Sequence, residues 1–106
     1  MNLKGSLPLL ILNALTHGPS HGYKIAQEIK KISKGVLDFK EGTLYPTLHN
    51  MEREELLETY SSEENGRIRR YYRLTELGKK MLDKEIKAWL EYVQAVNLNL
   101  ETTHEQ

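Results

Sequence analysis

Two groups of side chains in this chain are suited to recognition through hydrogen bonds and charge. The first lies in residues 41–52, where Thr43, Thr47, His49 and Asn50 supply hydroxyl, imidazole and amide groups. Tyr45 and Pro46 add an apolar surface with one phenolic donor. Leu44, Leu48 and Met51 recur at steps of four and three, so they share one helix face and leave the polar set on the others. The second group is Arg67, Arg69, Arg70 and Arg73, which follow Asn65-Gly66. A guanidinium is a planar fork of donors that matches phosphate oxygens, and a carboxamide can meet adenine through two bonds at once. Together these residue types fit a nucleic acid, with arginines for the backbone and Asn50 and its neighbours for base edges. Ser20, Tyr23, Lys24 and Lys40 are counted with the same surface. The solvated face of an ordinary core helix has a similar composition; the arginine-bearing segment that follows favours the nucleic-acid reading.

The elements that must position these groups are legible from spacing and punctuation. Ser6 and Pro8 suit the start of a first helix, whose buried stripe is Leu7, Leu10, Ile11 and Ala14 or Leu15. Leu9 and Leu12 make that helix apolar nearly all round, which calls for a second surface to cover it. His17-Gly18-Pro19 ends it. Ser20 is the expected cap of a second helix carrying Tyr23, Ile25, Ala26, Ile29 and Ile32, closed by Ser33-Lys34-Gly35. Residues 36–39 form an extended link or a one-bridge strand. A third helix runs from Glu41 to about Glu55, with Pro46 within or just after its first turn. The period then changes from 3.6 to 2, and Asn65-Gly66 between two alternating runs marks a two-residue hairpin turn. In the second strand Arg67, Arg69, Tyr71 and Arg73 share one face, opposite Ile68, Arg70, Tyr72 and Leu74.

Thr75 caps a last helix on which Leu82, Ile86, Trp89, Val93, Val96 and Leu100 follow at steps of four and three. That is a heptad seam, which either folds back on the domain or pairs with another chain. The expected domain organisation is residues 1–74 as one folded unit, 75–100 as the long helix and 101–106 as a flexible tail.

Other chemistries are poorly served. The chain has no cysteine, and its formal net charge is zero, so binding by bulk positive charge is excluded. His17 and His21 are four apart, but Gly18-Pro19 between them prevents a shared helix face, so no metal site is expected; His21 is read as structural, at a helix start. No phosphate-cradling glycine loop, nucleophile elbow or paired carboxylate is present, so no catalytic residue and no cofactor are assigned. The first apolar run is too short to span a bilayer and lacks a cleavage site, which points to a cytoplasmic protein without membrane contact.

The order helix, helix, helix, hairpin, helix predicts a mainly α chain with a β-hairpin: a winged helix-turn-helix plus a long C-terminal dimerisation helix. Several runs then carry a closer likeness. Leu9-Leu10-Ile11-Leu12, His21-Gly22-Tyr23, Gly42-Thr43-Leu44-Tyr45-Pro46, Gly66-Arg67 and Tyr71-Tyr72-Arg73-Leu74-Thr75-Glu76-Leu77-Gly78 resemble the PadR-like transcriptional regulators. The likeness covers about residues 5 to 97. It implies a homodimer that represses transcription from a pseudo-palindromic stretch of double-stranded DNA. It also implies dimerisation through the first and last helices, with Leu10, Leu82, Ile86, Trp89, Val93, Val96 and Leu100 in the interface.

Trp89, the one tryptophan, has two readings. It is plain packing in the seam, or it meets its mate across the two-fold axis so that a flat aromatic molecule stacks between two indoles. In the second reading Leu9, Leu12, Ile86 and Val93 line the pocket. A different class of function remains beside the regulator: a winged-helix dimer acting as a protein-interaction module without DNA binding.

Overall fold

A computed structural model of the chain describes residues 6–104. Its elements, in chain order, are α1 (Ser6–Ala14), β1 (Ser20–His21), α2 (Gly22–Ile32), α3 (Glu41–Arg53), β2 (Leu57–Glu64), β3 (Arg67–Leu74) and α4 (Glu76–His104). One apolar core joins them. Leu7, Ile11, Leu12 and Leu15 come from α1 and the turn after it, Ile25 and Ile29 from α2, and Leu44, Leu48 and Met51 from α3. Leu56, Leu57, Tyr72 and Leu82 close it from the other side. The expected spacing is that of the buried face on α3; on α2 the expected Tyr23 and Ile32 are exposed, and on α1 Leu10 and Ala14 are half-buried while Leu12 is buried.

The hairpin turns at Asn65-Gly66 as expected, and its register runs from Leu57 opposite Leu74 to Glu64 opposite Arg67. Asn65 and Gly66 turn it with φ of 53° and 76°, the left-handed pair that matches the twist of two adjacent strands. Alternation is kept, but only the base of the hairpin reaches the core: Tyr72 is buried while Ile68, on the same face, is 76% exposed. The outer half thus projects as a wing.

The third strand is where the structure departs from the reading. It is β1, which pairs antiparallel with β3 through Ser20–Tyr72 and His21–Tyr71. Residues 36–39 are irregular, with Leu37 and Phe39 resting on the core. Ser20 is consequently a strand residue and not the cap of α2. His21 is the cap: its Nδ1 accepts the Lys24 backbone N–H at 3.2 Å. A two-residue strand has no period for a sequence to display, and histidine is not a favoured cap.

The first and last helices hold two further corrections. Leu82 is 8% exposed within its own chain, and Leu12 is 1% exposed, so both serve this core and leave the expected interface and pocket. The helix also continues to His104, past the expected boundary at 100. Asn99, Thr102 and Thr103 donate their side-chain groups to carbonyls one turn back, which satisfies that turn without a tertiary partner. Residues 105–106 of the expected tail lie outside the described residues. With 29 residues, α4 rises roughly 43 Å, about two thirds of the 61 Å long axis.

The joint that orients α4 explains the Thr-Glu-Leu-Gly run. Thr75 Oγ1 accepts the Gly78 N–H at 3.0 Å, capping the helix, and donates to the Glu55 carbonyl at 2.6 Å. The Thr75 N–H reaches the Leu56 carbonyl at 3.1 Å. Gly78 lies so close to that same carbonyl that any side chain would overlap its oxygen. Gly78→Ala should therefore cost about 2–3 kcal/mol in urea unfolding, because the clash is with backbone that cannot swing away. Glu55 holds φ of 63° where α3 ends, a conformation that crowds its Cβ. Glu55→Gly should raise stability by about 0.5–1 kcal/mol in the same assay, the relieved strain exceeding the added freedom of the unfolded chain.

Candidate nucleic-acid interface

Three segments converge on one side of the chain. The start of α2, the outer face of α3 and the wing meet around His21, which lines two adjoining clefts. One, of about 260 Å³, is bordered by His21, Gly22, Tyr45, His49, Arg69, Arg70 and Tyr72. The other, of about 390 Å³, is bordered by His21, Glu64, Asn65, Arg67 and Arg69. Of the sequence-expected residues, Tyr45 and His49 of α3 and Arg67, Arg69 and Arg70 of β3 border these clefts.

On α3, Thr43, Pro46, His49 and Asn50 are exposed, whereas Tyr45 and Thr47 are half-buried. Tyr45 packs on α2 at Gly22, where an added Cβ would stand 2.8 Å from its ring. That close fit sets how α2 crosses α3. The Thr47 hydroxyl donates to the Thr43 carbonyl at 2.8 Å, so it is partly spent on its own helix. The Asn50 carbonyl oxygen accepts from Arg53 Nη2, and Asn50 is exposed. Arg53 was not among the expected site residues; its place three after Asn50 on the same helix was the available signal.

The four wing arginines divide into two pairs. Among the described residues, Arg67 and Arg69 make no ion pair. Arg73 binds Glu58 at 2.8 Å and lies over the Tyr60 ring, 5.3 Å from its centre. Arg70, expected to contact DNA, is bound to Glu52 of α3 at 2.9 Å, because alternation along β3 turns it toward the helix and away from the arginine face. Lys40 is likewise paired, with Asp38 at 3.1 Å, and this hydrogen bond holds the Asp38 carboxyl below the ordinary carboxylate range. Lys24 and Tyr23 remain exposed on the first turn of α2.

His21 ties these parts together electrostatically. Burial, then the positive charge of Arg69, push its pKa below the ordinary 6.5, and Glu64 opposes this. The ring is therefore neutral near pH 7, as its acceptor role toward Lys24 requires. It meets Tyr71 edge-on at 5.6 Å, and Tyr71 stacks on Tyr60 at 5.6 Å and donates its hydroxyl to Glu64. That donation lowers the Glu64 pKa and raises the Tyr71 pKa.

Past Leu82, α4 carries Ile86, Leu90, Val96, Leu98 and Leu100 exposed. Trp89 and Val93 are half-buried, and the Trp89 and Tyr92 rings lie 6.0 Å apart, tilted by 32°. Among the described residues, no group of three or more His, Cys, Asp or Glu is placed to hold a metal ion, and no helix is long and apolar enough to cross a membrane.

The profile of the transcriptional regulator PadR-like family matches residues 11–84. The chain belongs to that family. A transcriptional regulator of Mycobacterium tuberculosis is 33% identical over 93 residues, covering 88% of this chain and 84% of that one. A transcriptional regulator of Clostridium thermocellum shares the fold with a TM-score of 0.83 and 29% identity, over 90% of each chain. The PadR protein of Bacillus subtilis, solved in complex with operator DNA, superimposes with a TM-score of 0.70 at 24% identity. That likeness covers 77% of this chain and 47% of the other. Membership in a family of regulators agrees with the assignment of no enzymatic activity, and the four-helix, three-strand winged helix is the family's architecture.

The His21 cap gives this PadR-like chain a testable pH response. Folded His21 binds a proton less readily than unfolded His21, so its contribution is complete above 6.5 and is lost as pH falls through the lower folded value. The stability advantage of the wild type over His21→Ala should shrink between about pH 7.5 and pH 5.5 in urea titrations. An advantage that stays constant across that range would assign the effect to packing alone.

Proposed function

We propose that the chain is a homodimeric repressor that binds a pseudo-palindromic operator in the cytoplasm and releases it when a flat aromatic ligand enters the dimer. The observation that carries the reading is the junction around His21. There the exposed face of α3 lies beside two wing arginines that make no ion pair among the described residues, Arg67 and Arg69, with Glu64 in the same cleft but bonded to Tyr71. On this reading α3 enters a major groove with Thr43, Pro46, His49 and Asn50 toward the bases. Arg67, Arg69, Tyr23 and Lys24 hold the flanking phosphates, since phosphate contacts set register and base contacts set sequence. The operator complex of the Bacillus subtilis protein, which has this fold, supports the assignment.

The dimer half of the proposal rests on α4. Past Leu82 the large apolar side chains at heptad spacing are exposed at Ile86, Val96 and Leu100 and half-buried at Trp89 and Val93, and each such residue contributes about 1.5–3 kcal/mol when fully buried. Ile86, Trp89, Val93, Val96 and Leu100 would pair with a second α4, with Leu9 and Leu10 of α1 closing the sides. Trp89 then faces its symmetry mate. A planar ligand stacking between the two indoles would change the angle between the helices, and with it the spacing of the two α3 helices. Leu9, Ile86 and Val93 form the wall of that site.

Two measurements test these halves. Arg69→Ala should weaken binding to promoter and unrelated duplexes alike and make the salt dependence shallower by about 0.9 in log–log slope, whereas Asn50→Ala should weaken the promoter duplex selectively, by about 1–3 kcal/mol. Equal effects of both substitutions on both duplexes would contradict the division of roles, and no binding to either duplex by the wild type would favour the interaction module. Because Trp89 is the only tryptophan, a planar aromatic dye should quench the intrinsic fluorescence with one dye per dimer. Fluorescence that is unchanged at dye concentrations well above the protein's would remove the ligand site.

A further inference from the structure

A closed polar triad links the recognition helix to the wing. Glu52, in the last turn of α3, accepts from Arg70 Nη2 with both oxygens, at 2.9 and 3.1 Å. Thr59 of β2 donates its hydroxyl to Glu52 Oε2 at 3.1 Å, and accepts from the same Arg70 nitrogen at 3.1 Å. The Glu52 side chain is 30% exposed and that of Arg70 is 52% exposed. The pair is therefore partly shielded, yet Arg70 borders the cleft that also holds His49 and Arg69.

The placement has two consequences. The wing meets the core at its base, through Leu57, Tyr72 and Leu74, and β1 pairs with it at Tyr71 and Tyr72; the triad adds a polar tie from α3 to Thr59, opposite Tyr72, and to Arg70, two residues further out. It also occupies Arg70, which would otherwise add a third free guanidinium beside Arg67 and Arg69. A free arginine there would contact phosphate of any sequence and strengthen unspecific binding as much as specific binding. We propose that Glu52 is a positioning residue for DNA discrimination: by holding Arg70 it fixes the wing against α3 and keeps that charge away from the phosphates. This rests on the DNA-binding reading above.

The test is a double-variant cycle with Glu52→Gln, Arg70→Gln and the pair combined. The probes are the tightest duplex recovered from a random-sequence pool by the wild-type protein, and a scrambled duplex of the same composition. Binding is followed by fluorescence anisotropy between about 50 and 200 mM salt. Glu52→Gln frees Arg70: the scrambled duplex should bind roughly 5-fold tighter, and the salt dependence should steepen by about 0.9 in log–log slope. Discrimination between the two duplexes should fall by a similar factor. Arg70→Gln should keep the wild-type salt slope while lowering discrimination, since the tie is lost without releasing a charge. In the Arg70→Gln background, Glu52→Gln should no longer steepen the slope, which separates a released arginine from the mere loss of a nearby negative charge.

A shallower slope for Arg70→Gln would overturn the proposal, because it would mean that Arg70 already contacts phosphate in the wild type. Unchanged discrimination in Glu52→Gln would overturn it as well. Failure of the wild type to bind either duplex would instead defeat the DNA-binding reading, so the two failures are distinguishable.

Discussion

The carbonyl of Leu56 is the point on which the geometry turns. It lies where α3 has ended and β2 begins, it accepts the Thr75 N–H, and it stands against the bare backbone of Gly78. The neighbouring Glu55 carbonyl takes the Thr75 hydroxyl, which also caps α4. Four element ends are thereby fastened within a few residues: α3 and β2 on one side, β3 and α4 on the other. Because the bonds are made by backbone and one short side chain, the joint has little freedom to flex. A shift of α4 must be passed to α3 or break these bonds, and that coupling is what a regulator of the proposed kind requires.

Much of the architecture was legible because it is written in local periods. The steps of four and three in Leu44, Leu48 and Met51, the alternation of β3 and the Asn-Gly turn each name one element, and the burial follows them. What was not legible depends on which of two surfaces covers an apolar residue. Leu12 and Leu82 have the right spacing for an outer seam, yet each is covered by its own chain, and only the packing of α1 on α4 decides this. β1 was missed because two residues have no period, and its pairing partner lies about 50 positions away.

The site shows the same division. That α3 and the wing carry recognition chemistry could be read from residue types. Which arginines are available could be read only in part: alternation separates Arg70 from the others, but Arg67 and Arg73 both face a glutamate across the sheet and only Arg73 is bound to it. The acidic residues that make the net charge zero are thus not all remote from the interface. Glu52 and Glu58 neutralise two arginines, and Glu64 is turned to Tyr71 beside the wing tip. A neutral chain can in this way confine positive potential to a narrow strip, where it orients the protein on a duplex more than it attracts it to any polyanion.

The central claim is that two copies joined through α4 set a pair of α3 helices one helical turn apart on DNA. A hydroxyl-radical footprint of the full chain on the duplex it selects from a random pool measures this most directly. The account predicts two symmetry-related protected patches with centres about 10 base pairs, or one helical turn, apart. A single asymmetric patch, or two patches whose spacing is not a whole number of turns, would contradict it.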